Sequence, residues 1–110
     1  MSEHTEQRAF FQILALRYAK YPELKWIHSI PNASGVGGNH GAILGAKFKR
    51  EGRKAGVWDV FVPLPRGQHK GAYIEFKFKK NKLSPEQIEF GEFIEKQGYF
   101  KGVAYTAEQG

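Results

Sequence analysis

Gly56-Val57-Trp58-Asp59-Val60-Phe61-Val62 and Ala72-Tyr73-Ile74-Glu75-Phe76-Lys77-Phe78 are the two stretches from which the fold is read. Both alternate apolar with other side chains, the two-residue period of a strand packed on one face. The strands are expected over residues 57–62 and 72–78. Between them, Pro63-Leu64-Pro65-Arg66-Gly67-Gln68-His69-Lys70-Gly71 has the proline and glycine of a hairpin loop. Trp58, Val60 and Val62 alternate with Asp59 and Phe61; Ile74, Phe76 and Phe78 alternate with Tyr73, Glu75 and Lys77. If each apolar set enters the same core, Asp59, Glu75 and Lys77 share the opposite face of the sheet.

Outward from this pair, the spacing of Phe10, Ile13, Leu14 and Arg17 predicts a helix over about 3–20, with Ala9 and Leu16 widening its apolar stripe. Glu6 lies one turn before Phe10 on the inward face. Its carboxylate either faces solvent at the helix N-terminus, the commoner arrangement, or is aimed into a site. Residues 26–30 form a short strand candidate ended by Pro31-Asn32. The glycine-rich run 34–41 is not a dinucleotide fingerprint, because its third glycine falls at the wrong distance. It reads as a loop that approaches a ligand or backbone. A short helix is expected over about 42–50. Ser84, Pro85 and Gln87 form a capping box that opens a last helix to about Gln97, and a strand follows over about 100–105. The order is αβαββαβ, an α/β domain with a central mixed sheet flanked by helices.

A chain of 110 residues is the usual size of one domain, so a single domain over 1–110 is expected. Nine Phe, five Tyr and two Trp supply bulky core material. No apolar run nears the roughly 20 residues of a membrane span, and the start has neither the basic nor the apolar part of a secretion signal. An intracellular, cytoplasmic setting fits this. Cysteine is absent, so any metal must be held by oxygen or histidine. His28, His40 and His69 have no metal-binding spacing and read as loop or surface residues. The formal charge of +6 arises from 17 Lys and Arg against 11 Asp and Glu. It points to a polyanionic partner, and the cations cluster: Lys47, Lys49, Arg50, Arg53 and Lys54 in one group, Lys77, Lys79, Lys80 and Lys82 in another.

Asp59 and Glu75 on adjoining strands repel each other and lose solvation when brought together. A divalent cation relieves both penalties, and hard oxygen ligands suit Mg²⁺ or Mn²⁺. For the spacing alone, the commoner explanation is a surface aspartate and an ordinary Glu75–Lys77 pair on a half-exposed strand. The longer context shifts that balance.

An acid, a hairpin, then Glu-x-Lys on the next strand resembles the active-site pattern of the PD-(D/E)XK nucleases. Gly56-Val57-Trp58-Asp59-Val60, Tyr73-Ile74-Glu75-Phe76-Lys77 and Leu83-Ser84-Pro85-Glu86-Gln87 extend the likeness, with Gly98-Tyr99 and a strand after them. With Glu6 on the first helix and Pro31-Asn32 before a glycine-rich loop, nearly the whole chain resembles the VRR-NUC branch of that superfamily. One position departs: Trp58 stands where the usual residue before the metal-binding aspartate is proline.

The resemblance implies a restriction-endonuclease-like core and Mg²⁺- or Mn²⁺-assisted phosphodiester hydrolysis. It assigns Asp59 and Glu75 as metal-binding acids, with the Phe76 carbonyl as a further ligand. Lys77 would orient or activate the attacking water and stabilise charge on the phosphate. Glu6 matches an additional acid, and Gln87 the glutamine that opens the helix after the Glu-x-Lys strand. Read from the residues, Gln87 either completes the capping box or holds water or phosphate in the site. Small stand-alone members, of phage and bacterial type, resemble homodimeric Holliday-junction resolvases, and larger relatives process flaps and cross-links. DNA is the expected partner, with Lys47, Lys49, Arg50, Arg53, Lys54, Lys79 and Lys80 on its backbone. A flap-directed or restriction-type nuclease is the alternative. A non-cutting DNA-binding module would need a broken site, and every acid and the lysine are present.

Overall fold

In the computed structural model, which describes residues 3–31, 46–47, 50–78 and 81–105, the two central strands pair as their alternation predicts. In chain order the elements are α1 (Glu3–Ala15), a 3-10 helix (Pro22–Trp26), β1 (His28–Ser29), β2 (Val60–Val62), β3 (Ala72–Phe76), α2 (Pro85–Lys96) and β4 (Phe100–Ala104). The sheet order is β1-β2-β3-β4. The first two pairings are antiparallel, with Val60 opposite Ile74 and Val62 opposite Ala72. β3 and β4 are parallel, with Phe76 opposite Ala104, so the sheet is mixed and α2 is the crossover that a parallel pair requires.

Each face of the sheet carries one helix. Phe10 of α1 lies 5.5 Å, ring to ring, from Phe76, and together with Leu14, Ile27, Val60 and Ala104 they form the core. Tyr73 has the opposite parity and meets Phe90 of α2 edge-on at 5.1 Å. Phe61 and Tyr99 complete this second aromatic group. This face is therefore covered, against the half-exposed strand that the spacing alone favours. Buried on both sides, β3 places its charged residues in the interior.

Trp58 departs from the alternation. The regular strand begins only at Val60, so Trp58 does not join Val60 and Val62 against α1. It turns instead to α2, is only 1% exposed, and its indole Nε1–H donates to the Gln87 carbonyl at 2.9 Å. Two glycines make room for this approach. A side chain at Gly91 would meet the indole at 2.8 Å, and one at Gly56 would meet the Glu86 carbonyl oxygen at 2.6 Å.

Other boundaries move for local reasons. Regular α-helical structure stops at Ala15 rather than Lys20, and the chain tightens through bonds such as Arg17 N–H to Leu14 carbonyl, 2.9 Å. That change of pitch leaves Leu16 facing solvent instead of widening the stripe. Pro22 opens a 3-10 turn that takes up Trp26 and shortens the first strand to two residues. The capping box forms as expected, and α2 ends before Gly98, whose φ of 95° suits glycine. The expected helix over 42–50 lies mostly outside the described residues; at its end the Glu51 N–H donates to the Lys47 carbonyl at 3.1 Å. Asn32 and the glycine-rich run lie outside them too.

Gly56→Ala should cost on the order of 3 kcal/mol, since φ is 90° and the new methyl would strike helix backbone. Gly52→Ala, at a φ of 96° but with open space around it, should cost about 1–2 kcal/mol. Urea unfolding of both variants checks this; equal losses would mean that the contact with α2 contributes nothing.

Candidate active site

Glu75 reaches the site because it follows Tyr73 by two residues and so shares the face beneath α2. It is 2% exposed. One carboxylate oxygen, Oε2, accepts a hydrogen bond from the Gln87 amide nitrogen at 2.8 Å and lies 3.6 Å from Lys77 Nζ. The other, Oε1, is buried without a hydrogen-bond partner. Buried acceptors are rarely left so, because the lost hydration is not replaced. Lys77, two residues further on and 8% exposed, continues the same face, and its backbone N–H is held by the Ala104 carbonyl at 2.9 Å.

Asp59 arrives from the neighbouring chain segment, where β2 leaves the ladder. Its carbonyl accepts the Ile30 N–H at 2.7 Å, while its carboxylate Oδ2 accepts the Phe76 N–H at 2.9 Å. A side chain thus takes over a backbone bond beyond the last β2–β3 pair. In extended chain the N–H and C=O of one residue point to the same side, so the Phe76 carbonyl faces the Asp59 edge. Burial, and then the Asp59 carboxylate, push the Glu75 pKa up to about 8, against the opposing pull of Lys77 and of the Asp59 backbone N–H, which lies near the carboxylate without making a close hydrogen bond to Oε1.

Gln87 completes the capping box, the first of its two readings, and its amide also reaches the site, where it meets Glu75. Its Oε1 accepts the Ser84 N–H at 2.8 Å and its amide nitrogen donates to Glu75. Its own backbone N–H donates to Ser84 Oγ at 3.1 Å. Glu6 is buried, one turn from the Phe10 ring that packs on Phe76, so it does not face solvent. Among the described residues no three Asp, Glu or His side chains gather closely enough to hold a metal ion by themselves. The oxygen donors on hand are the two carboxylates and the Phe76 carbonyl. That set fits a small hard dication, which commonly takes one or two carboxylates and fills its shell with water and substrate phosphate.

Of the basic residues, Lys47, Arg50 and Lys54 are exposed and Arg53 is half-buried; Lys49, Lys79 and Lys80 lie outside the described residues. Lys54 is five residues before Asp59, which keeps the two Cα atoms within about 18 Å of each other. His28 is exposed, with its ring 5.8 Å from Phe61 and Nδ1 bonded to the Trp26 carbonyl.

The family model of the VRR-NUC domain matches residues 2–108. The chain belongs to the VRR-NUC family. It is also similar to a solved structure described as a VRR-NUC domain protein, at 27% identity and a TM-score of 0.74, over 99% of this chain and 81% of that one. No curated protein matches it. Membership gives the chain a nuclease-type function and agrees with the restriction-endonuclease-like core. No helix among the described residues is long and apolar enough to cross a membrane. Within the VRR-NUC pattern, Trp58 is the residue whose part the sequence did not disclose. A turn-shaping role follows from its place before Asp59, whereas its bond to α2 needs Gly56 and Gly91 to be seen as neighbours.

The raised Glu75 pKa contributes a definite pH dependence to metal-free stability. The folded chain keeps a proton up to about pH 8, whereas the unfolded chain loses it near 4.5. Stability from this group is full below the lower value and is lost as pH rises through the upper one. The metal-free Tm should therefore fall across that range, and Glu75→Gln should flatten the fall. An unchanged slope in the variant would remove Glu75 as its source.

Proposed function

We propose that this VRR-NUC domain is a Mg²⁺- or Mn²⁺-dependent endonuclease that hydrolyses phosphodiester bonds in branched DNA, acting as a homodimer on four-way Holliday junctions. The observation that carries the cutting activity is the bare, buried Oε1 of Glu75 beside Asp59 and Lys77. A carboxylate oxygen kept dry and without a donor is poorly placed for structure and well placed to meet a cation. When bound, the ion supplies charge neutralisation at the phosphate and acidifies water for attack. Asp59, Glu75 and the Phe76 carbonyl hold it. Lys77, a compact ammonium with little surrounding water, steadies the scissile phosphate and orients the attacking water. Glu6, buried on α1, matches the additional acid of the VRR-NUC pattern.

Lys47, Lys49, Arg50, Arg53, Lys54, Lys79 and Lys80 neutralise backbone phosphates. Such contacts give affinity and salt dependence but carry no base sequence. Selectivity then comes from the shape of the DNA. Pairing of two chains is supported by exposed apolar residues on α2 and on the edge strand β4, notably Phe93 at 59% and Phe100 at 53% exposed. Two sites related by a two-fold axis meet two strands of a junction symmetrically.

Cleavage should appear with Mg²⁺ or Mn²⁺, stop with chelator, and be poor with Ca²⁺ even where Ca²⁺ supports DNA binding. Asp59→Asn and Glu75→Gln should each reduce turnover on the order of a hundredfold or more while DNA affinity holds or rises; Lys77→Ala should lose turnover and some binding. Near-normal turnover in Glu75→Gln would overturn the site. Paired nicks on opposing junction strands are expected, with weak cutting of intact duplex. A monomer in sedimentation that prefers single flaps would replace junction resolution with flap cleavage.

A further inference from the structure

The geometry points to Gln87 and Trp58 as a positioning pair that leaves Glu75 a single oxygen for the cation, an inference that rests on the cation site proposed above. A carboxylate on a short, rotatable side chain can offer a cation either oxygen or both. Here the choice is removed from outside. The Gln87 amide cannot turn over, because its Oε1 is engaged by the Ser84 N–H at 2.8 Å, so its NH₂ must face Glu75 Oε2. The backbone of Gln87 is fixed in turn. Its N–H is bound to Ser84 Oγ and its carbonyl receives the Trp58 indole N–H at 2.9 Å. Trp58 immediately precedes Asp59, so one residue of α2 restrains both acids: Glu75 through its side chain, and the Asp59 segment through its carbonyl. The result is a donor on one Glu75 oxygen and none on the other.

Gln87→Met removes the amide but keeps the backbone bonds to Ser84 Oγ and Trp58. Ser84→Ala removes the hydroxyl cap but keeps the backbone N–H that holds the amide. Trp58→Phe keeps the ring against Gly91 and removes only the indole donor. Each full-length variant is titrated with Mn²⁺ at a temperature where it is fully folded, and the EPR spectrum of the bound ion is recorded. Gln87→Met should weaken Mn²⁺ roughly tenfold to a hundredfold and alter the spectrum, because Glu75 is free to turn. Trp58→Phe should weaken it less and in the same direction. Ser84→Ala should lower Tm and, with the Gln87 amide still held by the Ser84 N–H, weaken Mn²⁺ far less than Gln87→Met does. Wild-type affinity and spectrum in Gln87→Met overturn the inference, as does an equal loss in Ser84→Ala, which would make the effect one of helix stability. A wild-type chain that takes up no Mn²⁺ would remove the cation site itself, and this inference with it.

Discussion

The 2.8 Å hydrogen bond from the Gln87 amide to Glu75 joins the interior charge of the sheet to the first turn of α2, and much of the architecture serves to make it possible. Glu75 stands near the C-terminal end of β3. The chain leaves that end, passes through a short connection, and enters α2 at Pro85. Because β3 and β4 run parallel, the helix between them has to return along the sheet, so its start overlies the end of the strand it follows. A helix N-terminus also has spare N–H groups and a partial positive charge. The meeting of carboxylate and helix start thus follows from topology, and the capping box turns it into a defined contact.

Keeping a carboxylate in this place costs stability. Desolvation and the Asp59 charge oppose its ionised form, and Lys77 at 3.6 Å offsets this only in part. The aromatic groups on the two faces of the sheet hold the strain. Phe10 and Phe76 lie on one side, and Phe61, Tyr73, Phe90 and Tyr99 on the other, so the sheet cannot open to hydrate Glu75 without unpacking α1 or α2. The proposed function and the stability of the fold thus make opposite demands on the same few residues.

The alternation of residues 72–78 disclosed both the strand and the side on which Glu75 and Lys77 lie, because a two-residue period survives any detail of packing. The capping box was equally plain, since Ser84, Pro85 and Gln87 act within four consecutive residues. Burial of the charged face was not legible. It depends on α2 lying over that face, and the half-apolar pattern of α2 is compatible with either side of the sheet. The turn of Trp58 toward α2 was hidden for a related reason. Alternation assumes a regular strand, and the regular strand starts two residues later, after Gly56 has let the chain press against Glu86. The inward side of Glu6 was read correctly from helical spacing, but whether it faced water depended on what lay opposite.

The hairpin that joins β2 to β3 places its tip far from the acids. Val62 pairs with Ala72 at one end of the ladder, whereas Asp59 and Glu75 lie at the other, and beyond Val62 the chain closes in a tight turn where Arg66 and His69 exchange both backbone hydrogen bonds around Gly67-Gln68. The tip is exposed and closed by its own two bonds, with the His69 ring against Phe100 of β4 as its contact with the sheet. An insertion there would lengthen a loop whose closure entropy grows only slowly with size, and it would leave the register of β2 on β3 unchanged. The tip is thus a natural attachment point: a recognition module or a fluorescent reporter spliced between Gly67 and Gln68 would ride on the sheet at the opposite end from Asp59 and Glu75.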